Sequence, residues 1–286
     1  NLHLIKQNKK INWGLNPYKE EIERILYKEK IKTDSSVKPK ISATQLETYK
    51  ICPLKYKYKY LDNLPTMPYK SLSNIGTTIH RVLEEFHKNN FTLKQQLFAL
   101  LDEYWDEINF TYIQEKEQSK YEAKEMLQNY WDYLKNNENK LSYQFIEHSF
   151  DFETDYAYVT GKCDRIDIDE NGLISIIDYK TSRKSITSKK IKKDIQMGIY
   201  TLFIYFIGVK INENTVIKGL PEKLIMLYLR QNDIELSTGV SEEDISTINS
   251  DIKSIVEDIK NKNFEPEKGS HCDWCDYKDL ICPIYG

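Results

Sequence analysis

Apolar and polar positions follow two different rhythms along the chain, and the rhythm changes at Tyr143. Before that point the spacing is helical, predicting helices at about 74–89, 93–109 and 117–136. Upstream of these, Ser42 reads as an N-cap and Gln45 completes a capping box, so a helix opens there and breaks near Cys52-Pro53. From Tyr143 the segments 143–153, 156–161, 162–169 and 173–180 alternate and carry β-branched or aromatic residues, which predicts strands. A helix near 191–207, a strand at 223–230 rich in Leu, Ile and Tyr, and a long amphipathic helix at 241–262 follow. The first 40 residues are polar, Lys-rich and weakly patterned. Asn16-Pro17 can open a helix reaching about Lys30, and Thr33 to Pro39 reads as a linker. The expected organisation is a tail over 1–40 and one domain over 41–286. That domain divides into a helical part at 42–140, an α/β core at 141–262 and a Cys-rich end at 263–286. The expected fold class is α/β, a small mixed sheet with an antiparallel hairpin flanked by helices, with an all-α section inserted before it.

The most informative local feature is the turn Asp169-Glu170-Asn171-Gly172. Its last three residues suit a three-residue hairpin loop closed by a left-handed Gly172. Centring the hairpin on Asn171 sets Ile174 against Ile168, Ile176 against Ile166, and Asp178 against Asp164. Because strand side chains alternate, Ile166, Ile168, Ile174, Ile176, Asp164, Asp178 and Lys180 share one face. Cross-strand Cβ atoms stand ~5 Å apart. Two carboxylates that close repel unless a cation lies between them, and hard oxygen ligands favour Mg²⁺ or Mn²⁺. Lys180 can then touch the anion or water such an ion holds, a constellation suited to phosphodiester hydrolysis. Spacing alone leaves the other reading open, a solvated hairpin end with an ordinary Asp–Lys pair.

Gly161-Lys162-Cys163-Asp164, then Ile176-Ile177-Asp178-Tyr179-Lys180, then Gln196-Met197-Gly198-Ile199-Tyr200 resembles the PD-(D/E)xK nuclease superfamily. More narrowly it is similar to the RecB-like branch, including AddB-type helicase–nuclease domains. Upstream, Gly76-Thr77-Thr78-Ile79-His80 is similar to that branch's Gly-x-x-x-His helix. The likeness covers roughly residues 41–286. It implies a restriction-endonuclease-like core, with His80, Asp164, Asp178 and the Tyr179 backbone carbonyl as metal ligands. It also implies that Lys180 orients the attacking water, and that Gln196 and Tyr200, sharing a helix face, brace the site or meet DNA. Glu84, one turn from His80, is a candidate partner for it; without the family, His80 and Glu84 read as ordinary residues of an amphipathic helix.

Cys272-Asp273-Trp274-Cys275 followed by Cys282-Pro283 has metal-ligand spacing, and Cys52-Pro53 is the candidate source of a fourth thiolate. The same family often holds a 4Fe–4S cluster with one Cys before the nuclease core and three after it. That layout implies an iron–sulfur clasp on Cys52, Cys272, Cys275 and Cys282. Four-thiolate zinc, or zinc using His271, remain as rivals. Cys163, without partner spacing, reads as a packing residue.

Composition narrows the function classes. Net charge is −3 over 286 residues, so an anionic partner must be held by local patches. One patch is the acid-free run from Lys180 to Lys193, with Arg183, Lys184, Lys189 and Lys190. It suits a phosphate track, and equally a solvated loop. A second is the alternation Lys55-Tyr56-Lys57-Tyr58-Lys59-Tyr60, which suits single-strand binding or a helix whose tyrosines pack. Five cysteines argue against a disulfide scaffold and for a reducing cytosol. The most apolar stretch, Ile199 to Val209, is well short of the ~20 residues of a membrane helix. No phosphate-binding Gly-x-x-x-x-Gly-Lys-Ser/Thr loop occurs. The non-Met start suggests excision from a longer chain. The expectation is a divalent-metal-dependent DNA nuclease acting on single strands or ends, with a helicase module in cis or trans and no membrane partner. A stand-alone CRISPR-adaptation nuclease, a non-hydrolytic DNA-binding scaffold and an iron–sulfur redox protein are the other readings.

Overall fold

The computed structural model describes residues 38–66, 72–105, 113–137, 140–183 and 185–285. The predicted helix at Asn16 to Lys30 and the linker after it lie outside the described residues. The chain forms two compact units. Of the described residues, one gathers 38–66, Glu153–Val159 and 250–285; the other holds 72–152 and Thr160–Asn249.

In the first unit, β1 (Lys40–Ile41) pairs in parallel with the start of β3 (Tyr158–Asp169), Ile41 against Val159. Helix α1 (Ala43–Ile51) opens with the expected capping box: Ser42 N–H donates to Gln45 Oε1 at 2.9 Å, and Gln45 N–H returns to Ser42 Oγ at 3.4 Å. Pro53 has no N–H to continue that helix, so a new one, α2 (Pro53–Tyr56), starts there and widens into a π-helical turn at Lys57–Leu61. The end of the chain returns to these residues. Tyr58 donates to the Ile281 carbonyl at 3.0 Å and Tyr277 to that of Leu64 at 3.2 Å, both phenols within a small core that also holds Cys52 and Leu54.

The second unit is a sheet between helices. Helices α3 (Leu72–Lys88), α4 (Lys94–Trp105) and α5 (Ile113–Asn136) bury Ile79, Leu83, Leu101 and Leu127 against Ile177, Tyr179 and Leu227. The sheet joins β2 (Leu141–Glu153), β3, β4 (Ile174–Lys180), β7 (Lys223–Tyr228) and β8 (Glu235–Thr238). β3–β4 and β7–β8 are antiparallel, while β4–β7 is parallel, so the sheet is mixed as expected. Between β4 and β7 come the single turn α6 (Ser188–Ile191), α7 (Ile195–Phe206) and the small hairpin β5 (Val209–Asn212)–β6 (Thr215–Ile217). α7 covers the other face, with Phe203 stacked on Phe150 at 4.3 Å. A last helix, α8, runs over Glu242–Lys260. Among the described residues no helix is long and apolar enough to cross a membrane.

Two expectations need correction. The strands placed at 156–161 and 162–169 are one strand, because Gly161 does not interrupt β3 but leaves room for Phe150. The helix near 191–207 starts at Ile195, where Asp194 caps it by accepting from Met197 N–H at 3.0 Å. Strands β5, β6 and β8 are too short to show a rhythm.

A Cβ on Gly161 would stand 2.4 Å from the Phe150 ring, so Gly161→Ala forces the strand or ring to move. The expected cost is about 1–3 kcal/mol in chemical denaturation. Pairing it with Phe150→Leu should recover part of that loss, and a double variant no better than the single one contradicts the contact.

Candidate metal centre

The hairpin forms as its turn requires. Gly172 is left-handed, at φ +79°, and Asp169 Oδ1 accepts from Asn171 and Leu173 N–H at 2.8 and 2.9 Å. The pairs Ile168–Ile174 and Ile166–Ile176 follow the predicted register. The backbone ladder between β3 and β4 runs no further than Arg165–Ile177. Beyond it β4 stays paired with β7 through Lys180, but on its β3 side the Tyr179 N–H donates to Asp164 Oδ2 at 2.8 Å. The strands part there, and Asp164 and Asp178 stand in the notch, 6% and 1% exposed.

Three elements close on that notch. From α3, His80 brings Nδ1 to 3.5 Å from Asp164 Oδ2 and Nε2 to 3.0 Å from the Tyr179 carbonyl. From β4, Lys180 Nζ reaches 2.7 Å from Asp178 Oδ2 and donates to Gln196 Oε1 at 2.8 Å. From α7, Gln196 Nε2 donates to the Tyr200 hydroxyl at 2.6 Å, and Tyr200 donates to the Lys162 carbonyl at 2.6 Å. Gln196 and Tyr200 therefore brace Lys180 from a backbone anchor.

Burial, reinforced by the neighbouring Asp164, raises the Asp178 carboxyl to about 7. Burial opposes protonation of His80, but Asp164, Asp178 and Glu147 outweigh it and raise its pKa. The Lys180 ammonium offsets part of the Asp178 shift, yet burial and Asp164 still hold that carboxyl raised. An oxygen-rich donor set with one imidazole and a buried carboxylate oxygen in need of a cation fits Mg²⁺ or Mn²⁺.

Glu147 is the site residue that sequence reasoning missed. Its ligand oxygen, one of Asp164 and a ring nitrogen of His80 all lie within 4.8 Å of one another. The residue sits inside β2 at φ +49°, a left-handed conformation costly for Glu, which breaks the strand's alternation there. Its carboxylate ion-pairs with Lys162. Burial and then Asp164 raise its pKa, against the pull of Lys162. A sequence rhythm cannot signal a residue that departs from the strand conformation.

Other expected residues separate from the notch. Glu84 pairs with Lys88 at 2.5 Å rather than with His80. Arg183 pairs with Glu122 at 2.7 Å, Lys189 and Lys190 are exposed on α6, and Lys184 lies outside the described residues. Lys55 is half-buried, and Lys57 is ion-paired with Asp62. Tyr56 and Tyr58 are 3% and 1% exposed, so those two rings pack internally and offer bases no stacking surface.

The cysteines of the first unit are thiols without disulfides. Burial raises Cys275 and Cys282, and neighbouring thiols add to it: Cys282 and Cys52 act on Cys275, Cys52 and Cys272 on Cys282. Among the described residues no three of these sulfurs lie within 4.8 Å of one another. Cys163, in the second unit, is fully buried with Sγ 3.7 Å from the Arg165 carbonyl.

The Asp178 shift has a defined sign. Its folded-state pKa lies above the ordinary 3.8, so the metal-free folded protein holds a proton that the unfolded chain releases. That contribution to stability is complete below the ordinary value and is lost as pH rises towards about 7. In EDTA, denaturant titrations should show wild type losing stability relative to Asp178→Asn across this window. A constant gap between the two contradicts the shift.

Comparison with known proteins agrees with this geometry. The profile of the PD-(D/E)XK nuclease superfamily matches residues 40–283. No curated protein matches the chain. Among solved structures, one from Eubacterium rectale named as a "putative exonuclease" is similar at 12% identity, with a TM-score of 0.50 and 95% of each chain covered. SSO0001 is similar at 17% identity, with a TM-score of 0.40 and 94% of each chain covered. With the family profile spanning nearly all of the described residues, the chain belongs to the PD-(D/E)XK nuclease superfamily.

Proposed function

We propose that the protein is a divalent-metal-dependent deoxyribonuclease acting on single strands or ends, as the nuclease part of a helicase–nuclease in DNA repair or recombination. The observation that carries the reading is the notch itself, with Asp164 and Asp178 buried side by side and Lys180 held over Asp178. His80, Asp164, Asp178 and the Tyr179 carbonyl would hold Mg²⁺ or Mn²⁺, with Glu147 as a further carboxylate beside them. Such an ion supplies Lewis-acid polarisation of the scissile phosphate and of water. Lys180, steered by Gln196, orients the attacking water and offsets the charge that develops on the phosphate oxygens. Arg183, Lys189 and Lys190 follow β4 and suit contacts to successive phosphates.

A 4Fe–4S cluster on Cys52, Cys272, Cys275 and Cys282 is part of the same reading. The support is the sequence spacing of Cys272, Cys275 and Cys282 and the electrostatic interaction of their thiols with one another and with Cys52. Its role is structural, tying residue 52 to the last fifteen residues of a 286-residue chain.

Cleavage of single-stranded DNA should require Mg²⁺ or Mn²⁺ and stop in EDTA. Asp178→Ala should abolish it with DNA binding retained, and Lys180→Ala should reduce turnover by orders of magnitude with little change in affinity. Wild-type rates in Asp178→Ala would sink the assignment. Retained turnover with weakened affinity in Lys180→Ala reduces that residue to a phosphate contact.

Anaerobically purified protein should be brown and contain iron and sulfide. Cys52→Ser should bleach it and Cys163→Ser should not. One zinc per chain in place of iron replaces the cluster with a zinc clasp.

A further inference from the structure

On the sheet face opposite Asp178 lies a buried polar chain that the chemistry above does not use. Arg165 donates to Asp167 through a two-pronged contact, Nε to Oδ1 at 2.8 Å and NH2 to Oδ2 at 2.6 Å. Its third nitrogen donates to the Tyr130 hydroxyl at 3.1 Å. Tyr130 OH stands 2.5 Å from His87 Nε2 and 3.1 Å from the Tyr179 hydroxyl. Gln144 Nε2 donates to Asp167 Oδ1 at 3.2 Å, and the same side chain pairs with His87.

Arg165 NH1 also stands 3.4 Å from His87 Nε2, and a directed arrangement of protons satisfies these contacts. Burial and the adjacent Arg165 lower the His87 pKa to about 3, so its ring is neutral with one donor and one acceptor nitrogen. The Gln144 contact favours a ring N–H on His87, so the Gln144 carbonyl is what faces the ring and takes the proton of Nδ1. His87 Nε2 is then the acceptor for the Tyr130 hydroxyl. The Tyr130 oxygen in turn accepts from Arg165 and from Tyr179. In this arrangement the chain of bonds ends on the Tyr179 phenol.

Tyr179 is where this network meets the metal centre. Its carbonyl faces His80, and its N–H is held by Asp164 rather than by the backbone of β3. With the β3–β4 ladder running no further than Arg165–Ile177, the backbone at Tyr179 is paired on its β7 side only. A strand residue's side chain and carbonyl turn together about the strand axis, so a fixed phenol limits how far the carbonyl can tilt. His80 and His87 lie seven residues apart on α3, hence on one helix face, and the two rings sit edge-on to Tyr179 and Tyr130, at 5.9 Å in each case.

We propose that Arg165, His87 and Tyr130 are positioning residues for the metal centre: they clamp Tyr179 by its phenol so that its carbonyl stays aimed at the metal position. The inference rests on the metal-dependent reading of the notch. Carbonyls have no rotamer of their own to lock, so the phenol adds a handle on this ligand to those given by the N–H and by the pairing of β4 with β7.

The test compares Tyr130→Phe, Tyr179→Phe and the double variant with wild type and Asp178→Asn, using the full chain. Mn²⁺ affinity is read by electron paramagnetic resonance without DNA, and folding by thermal unfolding. Each Phe variant keeps the ring and the backbone carbonyl. The expected result is Mn²⁺ binding weakened roughly tenfold in each single variant, the scale of lost support behind a ligand. The double variant should lose less than the two single losses combined, because both break the Tyr130–Tyr179 bond. Variants that melt earlier yet bind Mn²⁺ as wild type does would overturn the clamp and leave a merely structural network. If wild type itself does not bind Mn²⁺, or binds it as Asp178→Asn does, the metal reading fails and the clamp with it.

Discussion

Where β3 and β4 part, the Tyr179 amide bonds to the Asp164 carboxylate at the point where a backbone carbonyl would otherwise stand. That one exchange makes the rest of the centre possible. A continued ladder would hold the two strands at sheet spacing and leave no room between them for an ion. Parting them without a substitute acceptor would strand a buried N–H at a cost of about 1–3 kcal/mol. Asp164 meets the need and is itself fixed by it, so one carboxylate oxygen serves the backbone while the group faces His80 and Glu147.

The cost of the arrangement falls on Asp178. Its carboxylate is buried with Asp164 alongside, and the raised pKa reports that both cannot be charged there without a cation. Lys180 supplies part of that charge, but a second chain of contacts through Gln196 and Tyr200 to the Lys162 carbonyl determines where its ammonium group sits. The sheet thus carries two polar networks on its two faces. One orients the ammonium group from α7, and the other, around Arg165, grips Tyr179 from α3 and α5. The buried Arg165–Asp167 pair is costly to desolvate, and such pairs hold their place through geometry more than through net stability.

The first unit follows a different logic. Tyr58 and Tyr277 each send a hydroxyl to a carbonyl on the opposite segment of chain, so the segments that carry Cys52 and the later cysteines are joined by neutral hydrogen bonds and a small apolar core. The same packing explains the Lys–Tyr alternation at residues 55–60, in which Tyr56 and Tyr58 turn inward and leave the lysines towards the surface.

Local chemistry in the sequence by itself determined the capping box at Ser42, the left-handed turn at Gly172 and the hairpin register that sets Ile168 against Ile174 and Ile166 against Ile176, because each depends on residues within a few positions of one another. The helical first half was legible for the same reason, and the Gly161, Asp164, Asp178, Lys180, Gln196 and Tyr200 motifs through their resemblance to a known family. Tertiary structure alone decided what no spacing encodes. It brought Glu147 to the notch through a left-handed residue inside a strand, where alternation stops being a guide. It turned Glu84 away to Lys88 and sent Tyr56 and Tyr58 into a core. It also joined His87, Tyr130, Gln144, Arg165 and Tyr179, five residues from five different elements. Each of them alone reads as an ordinary residue of its helix or strand, since a buried polar group acquires its role only from the partner that folding places within reach.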